Sequence, residues 1–484
     1  MSARAFVVGS GPNGLAAAIE LARAGFRVTV LEGAAEIGGG CRSSERLVPG
    51  MIHDDCAAVH PLLAASPFFH TLELDVKLVH PEVPLVHPLS GGDAVVLHRS
   101  LEATVAGLGG REGRRWRRLF APLVRHADAI ADLTLTPLPR ALGRHTVMGP
   151  RFGARAVPPA TVIGGFLGGE TRAAALFAGL SAHAFSRIDR PLTSAVGLMM
   201  GMTAQTWGWP VVAGGSGRLT EALADYVREF HGTVHTGVTV RRLGDLAEFG
   251  YRGASAGDVV VLTTTPARAA GLLAGLQPVR RRRRYRRFRH GAAAFRVDLA
   301  VRGGVPWINP DAHRAGTLHL GGTAAEIAAA EWATAAGRAV ERPFVLIGQQ
   351  YLADPSRSVR VDGEWLHPVW AYAHVPSGYR GDATEAVISR IADHAPGVRD
   401  RIVGVSTRNV SDLELYNPNY VGGDVAGGAN SPRQMIARPV LRRPYDTGVA
   451  GVFLGSASTP PGGGVHGMAG VAAARRAAQW TGLI

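Results

Sequence analysis

The chain has 484 residues, 46% of them hydrophobic, enough to bury one large core or two and too apolar for a disordered chain. Its formal charge of +14 would suit nucleic acid, but eight arginines sit in one run, Arg280 to Arg289, and Lys77 is the sole lysine, so the excess reads as compositional bias and no nucleic-acid partner is expected. Cys41 and Cys56 alone cannot build a zinc cluster or a C-x-x-C redox pair, so neither a metal site nor thiol chemistry is expected.

No basic segment followed by an apolar run opens the chain, and a cytoplasmic location is the expectation. In chain order, Ala5 to Val8 read as a buried strand, Asn13 to Ala24 as an apolar-faced helix and Arg27 to Leu31 as a second strand. Between the first strand and the helix lie Gly9, Gly11 and Gly14, with Pro12 and Asn13 among them, in G-x-G-x-x-G spacing; Glu32 ends the second strand. Gly9 permits the tight turn, Gly11 lets backbone approach a pyrophosphate and Gly14 allows close helix-to-strand packing, while the helix N-terminus attracts the phosphates. Glu32 is placed to accept hydrogen bonds from an adenosine ribose and to repel a 2′-phosphate, which leaves FAD or NAD and disfavours NADP.

"EIGGGCRSSE", residues 36 to 45, brings Gly39, Gly40 and Arg42 beside that pyrophosphate. "LFAGLSAHAF" and "SAVGLMMGMTAQTWGWP" are apolar stretches that read as core or as the lining of an apolar pocket. The uncharged stretch Pro191 to Gly217 makes a poor membrane span, because Gln205, Pro210 and several glycines interrupt it. Residues 211 to 243 read as a glycine turn, a helix and two short strands, and residues 258 to 273 as a buried strand and a helix. The arginine run Arg280 to Arg289 reads as a solvated helix or loop face, with weak peripheral contact to an anionic membrane as the alternative. "AAAFRVDLAVRG" alternates like a sheet strand and "PFVLIGQQYL" is a buried one. Near the end, "TPPGGGVHGMAGVAAA" crowds glycines and His466 around a helix start expected near Val465.

The run "GSGPNGLAAAIELARAGFRVTVLEGAAEIGGGCRS", with "MIHDDCAAVHP" and "NPNYVGGDVAGG", resembles the phytoene desaturase-like and amine oxidase-like flavoproteins. Within them it is most similar to the subgroup called pyridine nucleotide-disulphide oxidoreductase domain-containing protein 2. The resemblance implies an α/β fold: a Rossmann-type FAD-binding domain assembled from 1–70, 210–290 and 431–484, interleaved with an α+β substrate domain from 71–209 and 291–430. It implies FAD as cofactor. It places Val238 on the adenine side and brings the C-terminal segment back to the flavin, with Gly455 and Ser456 near the ribityl and phosphate region and Gly463, Gly464 and Val465 against the isoalloxazine.

The same resemblance puts His53, Asp54, His60, Tyr416, Asn417, Tyr420 and His466 near the ring, with His466, His53 and His60 as the catalytic candidates. The implied activity is an FAD-dependent dehydrogenase or desaturase acting on an apolar small molecule, isoprenoid or lipid-like. A flavin amine oxidase, or a flavin-binding scaffold with little turnover, are the alternatives. Amine oxidases of this kind commonly carry a lysine near the flavin, and Lys77 is expected to lie outside the segments that approach it.

Overall fold

The computed structural model describes residues 3–483, the side chains of 138–140 excepted. Short, mostly apolar strands from the start, middle and end of the chain build a parallel five-stranded sheet in the order Val452–Leu454, Val259–Leu262, Arg4–Val8, Arg27–Leu31 and Thr233–His235. In the register Val8 lies opposite both Leu31 and Leu262. Alternation then gives the sheet two apolar faces. Ala5, Val7, Val28, Val259 and Val261 pack under the helices Pro12–Arg23, Gly217–Glu229 and Met468–Thr481, whereas Phe6, Val8, Val260 and Leu262 meet Leu246, Ala269, Leu273 and Tyr285 on the other side.

A second sheet runs in the order Ile402–Arg408, Ala293–Arg302, Glu364–Val375, Val345–Gly348, Ala315–Leu320, Val83–Pro88 and Ala94–Leu97, with Val359–Val361 paired to one end of Glu364–Val375. One face of it is an ordinary core: Phe295, Val297, Leu299, Ile347, Ala371 and Ala373 are buried together. The other carries Ala294, Arg296 and Asp298 on one strand, next to Tyr372 and Trp370 on its neighbour. Helices including Gly110–Arg125, Arg172–Ala182 and Thr193–Thr206 close over part of this second face and form the largest apolar cluster.

Most of the apolar stretch Pro191 to Gly217 is this core: in Thr193–Thr206, Leu198, Met202 and Ala204 are wholly buried. Among the described residues no helix is long and apolar enough to cross a membrane. The arginine run is mostly the short helix Val279–Arg286, whose buried residue, Tyr285, plugs it onto the parallel sheet while most of its arginines stay exposed. Residues 233 to 240 hold one strand, not two; Val238 to Val240 run as irregular chain, tied to the first strands through the Val238 amide donating to Glu32 O at 2.8 Å.

Candidate functional site

A cavity of about 630 Å³ runs from the glycine turn after the first strand to the polar face of the second sheet. At the first end it is lined by Gly9, Gly11, Pro12, Asn13, Gly14, Glu32, Gly39, Gly40, Arg42 and Val238. Backbone crowding explains the glycines. A Cβ on Gly14 would lie 2.0 Å from Gly9 O, one on Gly39 would lie 2.9 Å from Gly11 Cα, and Gly9 holds φ +103°. Gly11 caps the helix without a side chain, and the first turn carries no acidic residue, so the positive helix end faces the cavity unopposed.

Glu32 is more heavily engaged than its spacing suggests. Its Oε2 accepts from the Ser10 amide at 2.8 Å and the Ser10 hydroxyl at 2.7 Å, and its Oε1 accepts from the Ala34 amide at 2.9 Å. Three of about four acceptor positions of a carboxylate are therefore used to hold the two strand ends together, leaving about one for a ribose hydroxyl. Arg42 is fixed in a similar way, donating to Ile37 O and Glu36 O while its guanidinium stacks over Tyr416. Further along, Thr263, Thr264, Thr265, Arg268, Tyr416, Asn417, Asn419 and Tyr420 continue the wall, and Ser456, Gly464 and Val465 close it from the C-terminal segment.

These residues fit a dinucleotide: an anion-attracting helix end, backbone stripped of side chains beside it, and an acidic residue after the second strand. The fit does not extend to every expected position. Gly455 does not line the cavity; its amide donates to Leu262 O at 2.8 Å, and a Cβ there would lie 2.7 Å from that of Ala473. Gly463 is also outside it, pressed so closely on Ala426 that a Cβ would lie 2.3 Å from the carbonyl oxygen. The C-terminal helix begins at Met468, not near Val465. Gly467 and Gly470 clear room for the first helix, since a Cβ on Gly470 would lie 1.7 Å from Asn13 O.

None of the three histidines expected to be catalytic lines the cavity. His466 is buried with both nitrogens occupied: Nδ1 accepts from the Met468 amide at 3.0 Å, which leaves the proton on Nε2, 3.2 Å from Gly462 O. It braces the start of the last helix. His60 Nε2 sits 2.8 Å from the Ser216 hydroxyl, which itself donates to Ala57 O, so the ring must donate. Burial pushes His60 and His466 down to about 4, and both are neutral at pH 7. His53 is buried, with Nε2 facing Leu299 O, and burial lowers it too.

Asp54 also turns away, into a buried knot with Arg357 Nη1 at 2.6 Å, the Ser216 amide and the Ser43 hydroxyl. Burial raises its pKa, but Arg357 and these hydrogen bonds outweigh that and leave it below the usual carboxylate range. The knot matters because it sets the adjacent residues Cys56, Ala57, Ala58 and Val59, which do line the cavity. Lys77 is exposed and lies off the cavity.

The far end is lined by His183 and Trp209, from the two stretches expected to be core or apolar-pocket lining, and by Ala294, Arg296, Thr317, Leu346, Trp370 and Tyr372, which were not expected at a site. His183 Nε2 lies 3.0 Å from His319 Nε2, and burial pushes His183 down to about 3, so it is uncharged. Arg296 is 3% exposed; its Nε lies 3.1 and 3.0 Å from the carboxylate oxygens of Asp298, itself 1% exposed. A signal for this end existed in "AAAFRVDLAVRG", where an arginine and an aspartate two residues apart sit in an otherwise apolar strand. A buried charged face is the informative departure from simple alternation.

Residues 7–72 match the family described as an NAD(P)-binding Rossmann-like domain. Hydroxysqualene dehydroxylase of Rhodopseudomonas palustris is 42% identical over 86 residues, a stretch that covers 17% of this chain and spans only 20% of that relative's length. Whole-chain likeness comes from solved structures. An oxidoreductase from Methanosarcina mazei superposes with a TM-score of 0.59 at 15% identity, covering 98% of this chain and 100% of its own. Cyclohexylamine oxidase from Brevibacterium oxydans gives 0.59 at 13%, covering 99% of each chain. The protein therefore has a Rossmann-type α/β domain within the fold shared by flavin amine oxidase-like oxidoreductases.

Proposed function

We propose that the protein is an FAD-dependent oxidoreductase of the dehydrogenase or desaturase type, close to the phytoene dehydrogenase-like proteins, acting on a largely apolar small molecule. The observation that carries this reading is the continuity of the cavity, which joins the glycine-lined helix N-terminus to an aromatic chamber on the second sheet. The residues 9–14, Glu32, Gly39, Gly40 and Arg42 would hold the dinucleotide, and Ser456, Gly464, Val465 and Tyr420 would border its redox end. When bound, FAD supplies the acceptor for a hydride removed from the substrate.

The chain's own part is to bind, orient and keep dry. Trp209, Trp370, Tyr372 and Leu346 give the chamber apolar walls, and His183, neutral at pH 7, offers a hydrogen-bonding group without a charge. Amine oxidation is the second reading, supported by the fold shared with cyclohexylamine oxidase. Against it stands the lining itself: among the described residues, the one carboxylate on the cavity is Glu32, at the glycine end. An ammonium in the chamber would find no counter-charge.

The test is to purify the protein, measure FAD released on denaturation, and screen apolar metabolites and amines for anaerobic bleaching of the flavin. One FAD per chain and bleaching by an apolar compound are expected. A colourless protein that cannot be reconstituted ends the proposal, and rapid bleaching by amines favours the second reading. We read Arg280–Arg289 as a solvated face; salt-sensitive binding to anionic liposomes, lost when Arg280 to Arg284 become glutamines, would reverse that.

A further inference from the structure

Arg296 occupies an unusual position. It projects from the strand next to one edge of the second sheet, between Arg408 and Tyr372 on the flanking strands, onto the face that floors the cavity. Asp298, two residues on and so on the same face, engages its Nε and Nη2. Nη1 is buried and, among the described residues, has no hydrogen-bond partner. Two more polar groups that line the same cavity are in the same condition, the Trp370 indole N–H and the Thr317 hydroxyl. Asp298 and Trp370 are register partners, and Gly348 pairs with both Trp370 and Thr317, so all these residues belong to one patch of sheet.

A buried guanidinium N–H left unmade is costly, and native interiors pair such groups with protein, water or ligand. Donors dominate the patch. Arginine and the indole can only donate, Thr317 can donate, and among the described residues no carboxylate lines this end of the cavity. The surrounding walls are Trp209, Leu346, Ala294 and Tyr372. A purely hydrocarbon substrate would bury the Arg296 N–H permanently unpaired, and a cationic one would add a second positive charge beside it.

We propose that Arg296 Nη1 receives an oxygen acceptor of the substrate, a carboxylate or a carbonyl, on an otherwise apolar molecule whose remainder lies against the aromatic walls. Arg296 is then the residue that selects the substrate's polar end, and Asp298 is a positioning residue that holds the guanidinium through Nε and Nη2 and leaves Nη1 for the acceptor. This rests on reading the cavity as the substrate chamber of a flavin oxidoreductase, and it sharpens "apolar" to "apolar with one oxygen acceptor".

The experiment uses decanoate, 2-decanone and decylamine as probes of the full-length protein, followed by flavin absorbance and, independently of flavin, by the fluorescence of the cavity tryptophans. Decanoate is expected to bind wild type, 2-decanone more weakly, and decylamine not at all. Arg296→Met should weaken decanoate at least tenfold with FAD content unchanged, and Arg296→Lys should restore part of the loss. Because Arg296→Met strands a buried carboxylate, the double variant Arg296→Met/Asp298→Asn carries the test if the single one fails to fold. The proposal is overturned if decanoate fails to bind wild type, if decylamine binds as tightly, or if the arginine variants keep full decanoate affinity. Loss of FAD with unchanged decanoate quenching would overturn it too, by assigning Arg296 to the cofactor. A protein that never takes FAD defeats the functional reading instead, and the fluorescence titrations still decide the role of Arg296.

Discussion

Near Gly9 the wall of the cavity is backbone, and near Arg296 it is side chain. At the first end Gly9, Gly11, Gly14 and Gly39 bring main chain within contact of main chain, and selectivity comes from what is missing: a Cβ, a cap, an acidic first turn. At the second end selectivity comes from what is present, a sheet face that carries a buried Arg296–Asp298 pair among Trp370, Tyr372 and Thr317. The first kind of site leaves almost no room for substitution and suits a ligand many proteins share. The second is built from side chains, several of which, Leu346 and Trp370 among them, also belong to the apolar cluster under the covering helices.

The hardest break is at the first end. Gly14→Ala places a methyl 2.0 Å from Gly9 O, an atom that cannot move without shifting the strand end, so loss of both FAD and a cooperative thermal transition is expected. Gly11→Ala is the matching control: a Cβ there meets Gly39 Cα at an ordinary 3.7 Å, so this variant should melt like wild type and yet hold FAD less well, because its methyl stands where backbone would approach the pyrophosphate. Equal melting and equal FAD content in both variants would remove the backbone account of this end.

Next in size is the knot that sets Cys56 to Val59 on the cavity. Arg357, 1% exposed, bridges Asp54 and Asp354 and donates to Val212 O. Arg357→Met leaves two carboxylates uncompensated and should cost about 3–5 kcal/mol in urea unfolding. A loss under about 1 kcal/mol would mean the knot is not structural.

Acid then tests the histidines together. His60, His87 and His466 sit at about 4 and His183 at about 3, all through burial, against about 6.5 in an unfolded chain. Their folded values are depressed, so the unfolded state takes up the protons first. Stability is full above pH 6.5 and falls as the pH drops toward 4, by roughly 1.4 kcal/mol per pH unit for each such group. His466→Gln should flatten this slope and leave the rate of flavin reduction by substrate unchanged, whereas a large fall in that rate would restore a catalytic role to the residue.

Smaller again, Glu32→Ala removes at most one or two hydrogen bonds to the ribose, on the order of 1–3 kcal/mol of FAD affinity by titration. The structure favours the lower part of that range, because three acceptor positions already serve Ser10 and Ala34. Lys77→Met should change neither the flavin spectrum nor turnover; a bleaching reaction with amines that disappears in this variant would reopen the amine oxidase reading.

The first end of the cavity and the strands that frame it can be read from the order of residues alone. Gly9, Gly11, Gly14 and Glu32 lie within one local strand–helix–strand unit, where spacing along the chain is spacing in the molecule. The alternation of Ala293–Arg302 likewise shows in the order of residues. Which way His53 and His60 point was decided elsewhere, by Leu299 and Ser216, partners 246 and 156 positions distant whose approach no local pattern records, whereas His466 is held by its own neighbours Met468 and Gly462. The helical layer that contributes His183 and Trp209 was legible only in part: its apolar stretches read as core or pocket lining, but helices that pack on all sides carry no periodic stripe to show which side chains face the cavity. The second end exists only because strands from residues 293 to 375 meet in register, so that Arg296, Trp370 and Thr317 share a face. Burial of that face, and with it the unmet N–H of Arg296, is a property of the assembled sheet and its covering helices, not of any one segment.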